Sequence, residues 1–172
     1  TPMSAMSADQ PKIVLLLGGM GLNARLTERA IEELPGDVSF GFAPYGGNLQ
    51  AQVNKARGRG HEVMLQLPLE PAGYPAINPG PNTLLTSVPA EENLASLRWN
   101  MTRFAGYTGI TNYMGTRFLS QPEHMRPVMA EMKKRGLVFL QDAGVSESAS
   151  GEVARATGLA LRNGEIVIDA NP

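Results

Sequence analysis

The chain has 172 residues and a formal charge of -1, a size suited to one domain with a full hydrophobic core. Near-neutral balance with no basic cluster excludes a phosphate-backbone binder, so no nucleic acid is expected as a partner. Cysteine is absent, which excludes disulfides and thiolate metal sites. No apolar run reaches the ~20 residues that span a bilayer, so this segment is not expected to insert into a membrane.

Residues 1–10 are small and polar and read as a linker, leaving 11–172 as a single domain. From there apolar strands and amphipathic helices alternate. A first strand, 12–17, runs into Gly18-Gly19-Met20-Gly21-Leu22-Asn23, a glycine turn that opens a helix. Asn23 is the expected N-cap of that helix, which runs to about residue 34 with Leu26, Ala30, Ile31 and Leu34 on one face. The pattern then predicts strands at 38–42, 62–67, 109–112, 137–140 and 166–168. Helices are predicted at 48–59, 89–104, 122–134 and 148–157. Serial βα units imply a parallel sheet, either an open doubly wound sheet or an incomplete barrel.

Residues 68–89 break the rhythm. This stretch holds Pro68, Pro71, Pro75, Pro79, Pro81 and Pro89 and exceeds the usual ~2–6 residues of a βα connection. It reads either as a binding wall beside the strand ends or as a packed Ω-loop.

The glycine turn has two readings. Gly19-Met20-Gly21-Leu22-Asn23-Ala24 fits a dinucleotide fingerprint after a strand, with Gly19 and Gly21 letting a pyrophosphate approach. That fingerprint needs an acidic residue at the end of the second strand, where this chain has Phe42-Ala43-Pro44-Tyr45. The other reading is a catalytic corner without its carboxylates. In both open α/β sheets and barrels the chemistry gathers at the C-terminal ends of the strands. Those ends supply Gln66 and Glu70, then Asn112, Tyr113 and Arg117, then Asp142, and finally Asp169. Such a hydrogen-bonding mouth suits a hydroxyl-rich ligand such as a sugar, although taken singly each residue is better read as structural, Gln66 and Asn112 satisfying loop backbone and Arg117 pairing Glu70 or Asp142. The only histidines, His61 and His124, have no partners at metal-ligand spacing, and no G-x-S-x-G elbow is present.

Three ordered motifs then carry a resemblance: residues 60–71 (GHEVMLQLPLEP), 79–85 (PGPNTLL) and 111–118 (TNYMGTRF), supported by 135–142 (RGLVFLQD). Together they resemble the divergent polysaccharide deacetylase family across nearly the whole chain from about Pro11. The resemblance implies an α/β fold, an irregular (β/α) barrel with parallel strands and outer helices. It also implies carbohydrate chemistry and a periplasmic location, with a membrane anchor in many members. In the metal-keeping relatives two aspartates end the first strand, where this chain has Gly18 and Gly19. A histidine stands at the position of Gln66, and another at that of Tyr113. The resemblance therefore implies a domain without the metal ligands and base, and no cofactor or metal is expected. Its expected ligand-binding positions are Gly18, Gly19, Gln66, Glu70, Asn112, Tyr113, Arg117 and Asp142. The expected partner is a polysaccharide or peptidoglycan fragment, or an envelope protein. The alternative is an active hydrolase that uses Glu70 and Asp142 as an acid/base pair.

Overall fold

The computed structural model describes residues 13–145 and 147–169; the linker expected at 1–10 lies outside them. Six strands form one sheet: β1 (Leu16–Met20), β2 (Ser39–Phe42), β3 (Val63–Leu69), β4 (Gly109–Met114), β5 (Val138–Gln141) and β6 (Ala160–Asn163). Helices α1 (Ala24–Glu33), α2 (Leu49–Gly58), α3 (Ala90–Met101), α4 (Pro122–Lys134) and α5 (Ser150–Thr157) fill the connections, with a 3₁₀ turn at Phe118–Ser120. All neighbouring strands run parallel, in the order β1-β2-β3-β4-β5-β6.

That order decides between the two architectures. A doubly wound sheet reverses its order to place helices on both faces. A strictly consecutive order with right-handed crossovers keeps every helix on one face. The sheet is therefore part of a barrel wall, and it is not closed: β1 and β6 are both edges.

Side chains alternate between the two faces. On the helix side Phe40, Phe42, Leu65, Leu67, Leu69, Ile110 and Phe139 are fully buried. They share one core with Val53, Leu97, Met125, Val128, Met129 and Met132 from the helices. Each such side chain contributes about 1.5–3 kcal/mol on burial, so this layer fixes the sheet. The opposite face carries Gly41, Gln66, Thr111 and Tyr113, and it leads to the mouth, where Asp142 follows β5.

Four expectations are corrected. The first strand lies at Leu16–Met20, so Gly18 and Gly19 sit inside it rather than in a turn. The register advances from Leu17↔Phe40 to Met20↔Phe42, one residue too many on β1. This β-bulge uses Gly19 at φ 71°, a conformation that glycine adopts without the Cβ penalty. Second, β3 continues through Pro68 to Leu69. Proline is tolerated there because β2 has already ended, and Leu84 of the loop pairs with the strand instead, donating its N–H to Pro68 O at 3.0 Å. Third, the last strand is Ala160–Asn163, paired with β5 from Val138↔Ala160 to Gln141↔Asn163. The apolar run Ile166-Val167-Ile168 follows it as exposed coil and turn. Fourth, Leu26 on α1 and Leu34 at its C-cap are exposed while Ile31 is buried, because α1 flanks an edge strand and has a neighbour, α2, on one side only.

Candidate functional site

The expected site residues form three groups at the C-terminal ends of the strands. The first is the β1 bulge under Gln66. The Gln66 side chain lies across Gly18 and Gly41: a Cβ on Gly18 would stand 2.7 Å from Gln66 Nε2, and one on Gly41 would stand 3.0 Å from Gln66 Cγ. The Gln66 Oε1 accepts the Gly19 N–H at 2.6 Å. Glycine at 18 and 41 is thus the space in which the glutamine lies, and the bulge amide is its anchor.

The second group is Glu70 with Arg117. Glu70 is buried, its side chain 4 % exposed, and its Oε1 stands 3.6 Å from Arg117 Nε. Its other oxygen accepts the Thr86 N–H, and its carbonyl accepts the N–H groups of Arg117 and Phe118 at 3.2 and 3.1 Å. Both carboxylate oxygens are engaged in holding the proline loop and the turn after β4. Glu70 therefore meets its charge partner and a backbone amide rather than an open cleft.

The third group is Asn112 with Asp142. Asn112 is buried. Its Oδ1 accepts the Asp142 N–H at 2.8 Å and its Nδ2 donates to Met114 O at 2.8 Å. One amide so joins the ends of β4 and β5, where Met114 at φ 57° needs a fixed partner. The Asp142 carboxylate is exposed and accepts the Gly144 N–H at 2.9 Å, an Asx turn. Tyr113, 38 % exposed, leaves its phenol ring open at the mouth. Asp169 lies in the turn that follows the exposed 166–168 run, beyond β6.

The proline loop is packed against α3 and Tyr45. Asn93 of α3 donates to Leu85 O at 2.8 Å and accepts the Leu85 N–H at 2.9 Å, copying the pairing of a strand. Two turns further along the same helix face, Asn100 Nδ2 reaches Asn82 O at 3.0 Å. From the other side Tyr45 donates its hydroxyl to Pro81 O at 3.0 Å and lies against Gly80, where a Cβ would meet its ring at 2.7 Å. Burial pushes the Tyr45 phenol up to about 12, because an ionised phenolate would lose hydration there. Asn93, Asn100 and Tyr45 were not among the residues singled out. The signal for the first two was present: asparagines seven apart fall on one helix face, and a polar pair on a core face needs partners.

The dinucleotide reading loses its footing in the same geometry. The Gly21 N–H is taken by Thr27 Oγ1 at 2.9 Å, and Asn23 Oδ1 accepts the Leu26 N–H at 3.0 Å. Gly21 has φ 86°, a left-handed backbone that favours glycine, and a Cβ would also stand 2.5 Å from Leu49 Cδ2, so backbone conformation and packing explain it. His61 is buried at the other end of the sheet, its Nδ1 2.9 Å from Val38 O and its ring stacked on Phe40. His124 lies beside Glu123 and Phe118.

Against this geometry the comparisons with known proteins are decisive for the family. A family model described as divergent polysaccharide deacetylase matches residues 15–172. The chain belongs to that family. It is similar to a solved structure of an uncharacterized protein from Agrobacterium tumefaciens C58, with a TM-score of 0.90 and 42% identity, covering 92% of this chain and 64% of that one. It is also similar to an uncharacterized protein of Haemophilus influenzae, 22% identical over 96% of this chain and 58% of the relative. The uncharacterized protein YibQ of Escherichia coli is 23% identical over 92% of this chain and 49% of its own length. The chain thus spans about half the length of the curated relatives it matches.

The metal that the wider fold implies can be tested on the side chains present. Its positions hold two glycines, a primary amide whose oxygen is already bonded to Gly19, and a phenol. Divalent zinc takes thiolate, imidazole or carboxylate ligands. Among the described residues no three His, Cys, Asp or Glu side chains gather as a ligand set. This donor set does not fit the ion.

Proposed function

We propose that this divergent polysaccharide deacetylase is a carbohydrate-binding domain that keeps the deacetylase fold without the deacetylase chemistry. The reading rests on one observation: the Gln66 amide lies over Gly18 and is bonded to Gly19, where the family resemblance leads one to expect two carboxylates and an imidazole. Hydrolysis of an amide in such a fold needs an ion to polarise the carbonyl and a base to activate water. An uncharged primary amide supplies neither. What the mouth retains is suited to holding a hydroxyl-rich ligand: the half-exposed Tyr113 ring, the exposed Asp142 carboxylate, Arg117, and a stiff wall of proline loop. An envelope polysaccharide is the favoured ligand, and the periplasm the favoured compartment, both on the family's account.

The test is a paired assay on the purified domain. Binding to immobilised peptidoglycan and to chitooligosaccharides is followed by calorimetry, and acetate release is followed from the same glycans with zinc, cobalt or nickel added. The expected result is binding that Tyr113→Ala weakens, with no acetate released under any metal. Metal-dependent acetate release would overturn the reading and restore a deacetylase. Absence of binding to every glycan would overturn it in favour of an envelope protein as partner.

A further inference from the structure

The mouth contains a cleft in which Arg117 is the one lining residue that the family resemblance expects to bind a ligand. It has a volume of about 440 Å³ and is lined by Ala72, Thr116, Arg117, Ser120, Val145 and Glu147, a size within the range of small-molecule sites. Its walls come from the loop after β3, the turn after β4 and the loop after β5. Two hydroxyls have fixed roles on its rim: Thr116 Oγ1 accepts the Ala72 N–H at 3.0 Å, leaving its proton to donate elsewhere, and Ser120 donates to Arg117 O at 2.8 Å.

Arg117 is the feature that needs explanation. Its nearest anion, Glu70, stands 3.6 Å from Nε, close enough for charge compensation and too far for a hydrogen bond. Among the described residues the guanidinium makes no side-chain hydrogen bond, although it carries five donors in a rigid fork. The side chain is 54 % exposed to the cleft and solvent. Its backbone, by contrast, is fixed, with the N–H donated to Glu70 O. A guanidinium held at its base, neutralised from behind and unused at its fork is arranged to meet a planar oxyanion. Glu147, across the same cleft, repels an anion and accepts hydroxyl protons, so it orients a ligand that has one acidic end and one hydroxylated end.

Resting on the carbohydrate-binding reading above, we infer that this cleft selects saccharides that carry a carboxylate, with the carboxylate on Arg117 and ring hydroxyls on Thr116 and Glu147. The acid is either attached directly to a ring carbon, as in a uronic acid, or carried on an ether-linked lactyl arm. Both present the same planar group to the fork.

The experiment compares each acid with its own methyl ester, which keeps every hydroxyl and removes the charge. Trigalacturonate and N-acetylmuramic acid, each with its methyl ester, are titrated into the domain by calorimetry at low salt. The acid binds at least about tenfold tighter than the ester, the loss expected when one charge-assisted pair is removed. Whichever acid shows the larger ratio identifies the source. Arg117→Lys narrows the ratio, since a point charge replaces the fork. Glu147→Gln, an exposed position, widens it because the repulsion is gone. Equal binding of acid and ester overturns this inference and leaves the carbohydrate reading standing. If neither form binds while neutral chitooligosaccharides do, the inference falls and that reading again survives. If no saccharide of any kind binds, both fall.

Discussion

The β3–β4 side of the mouth and its β1 side are built on opposite principles. On the β3–β4 side three polar side chains are each tied twice: Glu70 to Arg117 and Thr86, Asn112 to Asp142 and Met114, Asn93 to both polar groups of Leu85. The strands there are buried on the helix face and carry the loop as a rigid extension. On the β1 side the strand is an edge, most of it exposed, with glycines where side chains would stand. Among the described residues one long-range side-chain bond, Gln66 to Gly19, joins the two. A fold keeps its structural polar groups paired because each unpaired one would cost stability.

The largest effect should come from cutting the tied side. Asn93→Ala strands the Leu85 N–H and C=O beside a buried helix face and is expected to lower stability by about 2–4 kcal/mol. Urea unfolding measures that loss, and faster hydrogen exchange at Leu85 and Thr86 would localise it. A loss under 0.5 kcal/mol would mean the loop is held without α3.

On the β1 side Gly18→Ala pushes a methyl against the Gln66 amide, at an expected cost of about 1–2 kcal/mol for overpacking. In a Gln66→Ala background the same change should cost little, so a double-mutant cycle gives a coupling of roughly 1 kcal/mol. Additive effects would show that the glutamine does not occupy that space.

A pH-dependent test sharpens the role of the wall. The Tyr45 phenol is raised from 10 to about 12 in the fold, so the folded state resists losing that proton more than the unfolded chain does. The contribution is fully present below pH 10 and is lost as the pH rises towards 12. Tyr45→Phe, at a cost of about 1 kcal/mol at neutral pH for the bond to Pro81, should flatten the fall in urea midpoint between pH 9 and 11. An unchanged alkaline slope would place the tyrosine in water.

The smallest effect belongs to the open edge. Leu26, 49 % exposed on α1, should tolerate Leu26→Gln within about 0.5 kcal/mol, whereas Ile31→Ala on the buried face of the same helix should cost about 2–5 kcal/mol. Similar values for the two would mean that the outer face of α1 is covered in solution.

Most of the fold was legible because its signals are local. Alternating apolar runs and helical spacing located β2, α2, α3, α4 and β5 to within a few residues, and Pro122 at the start of α4 marked a boundary directly. The last strand was misplaced because Ile166-Val167-Ile168 has the higher β-propensity, while Ala160–Asn163 owes its state to pairing with β5. The site was half legible. Its residues could be gathered by reading the strand ends, but their division of labour could not. That Glu70 faces a loop amide, or that Gln66 lies over a glycine 48 positions earlier, depends on which distant chain ends meet. The bulge at Gly18 and Gly19 was hidden for a related reason: a register slip exists only relative to a partner strand.

The consecutive strand order also governs how this chain reaches its native state. Each strand hydrogen-bonds to the one made just before it, so the sheet can grow in the direction of synthesis with no strand waiting for a distant partner. Such sequential pairing keeps contact order low for a parallel sheet and favours rapid assembly. The one long interval is β3 to β4, Met64 to Gly109, across the proline loop and α3. Closing that interval carries the greatest loop entropy, and the prolines reduce it by stiffening the unfolded chain in advance. The wall of the mouth is thereby also the hinge on which folding speed turns: loosening it with glycines should slow refolding more than any change at the exposed edge.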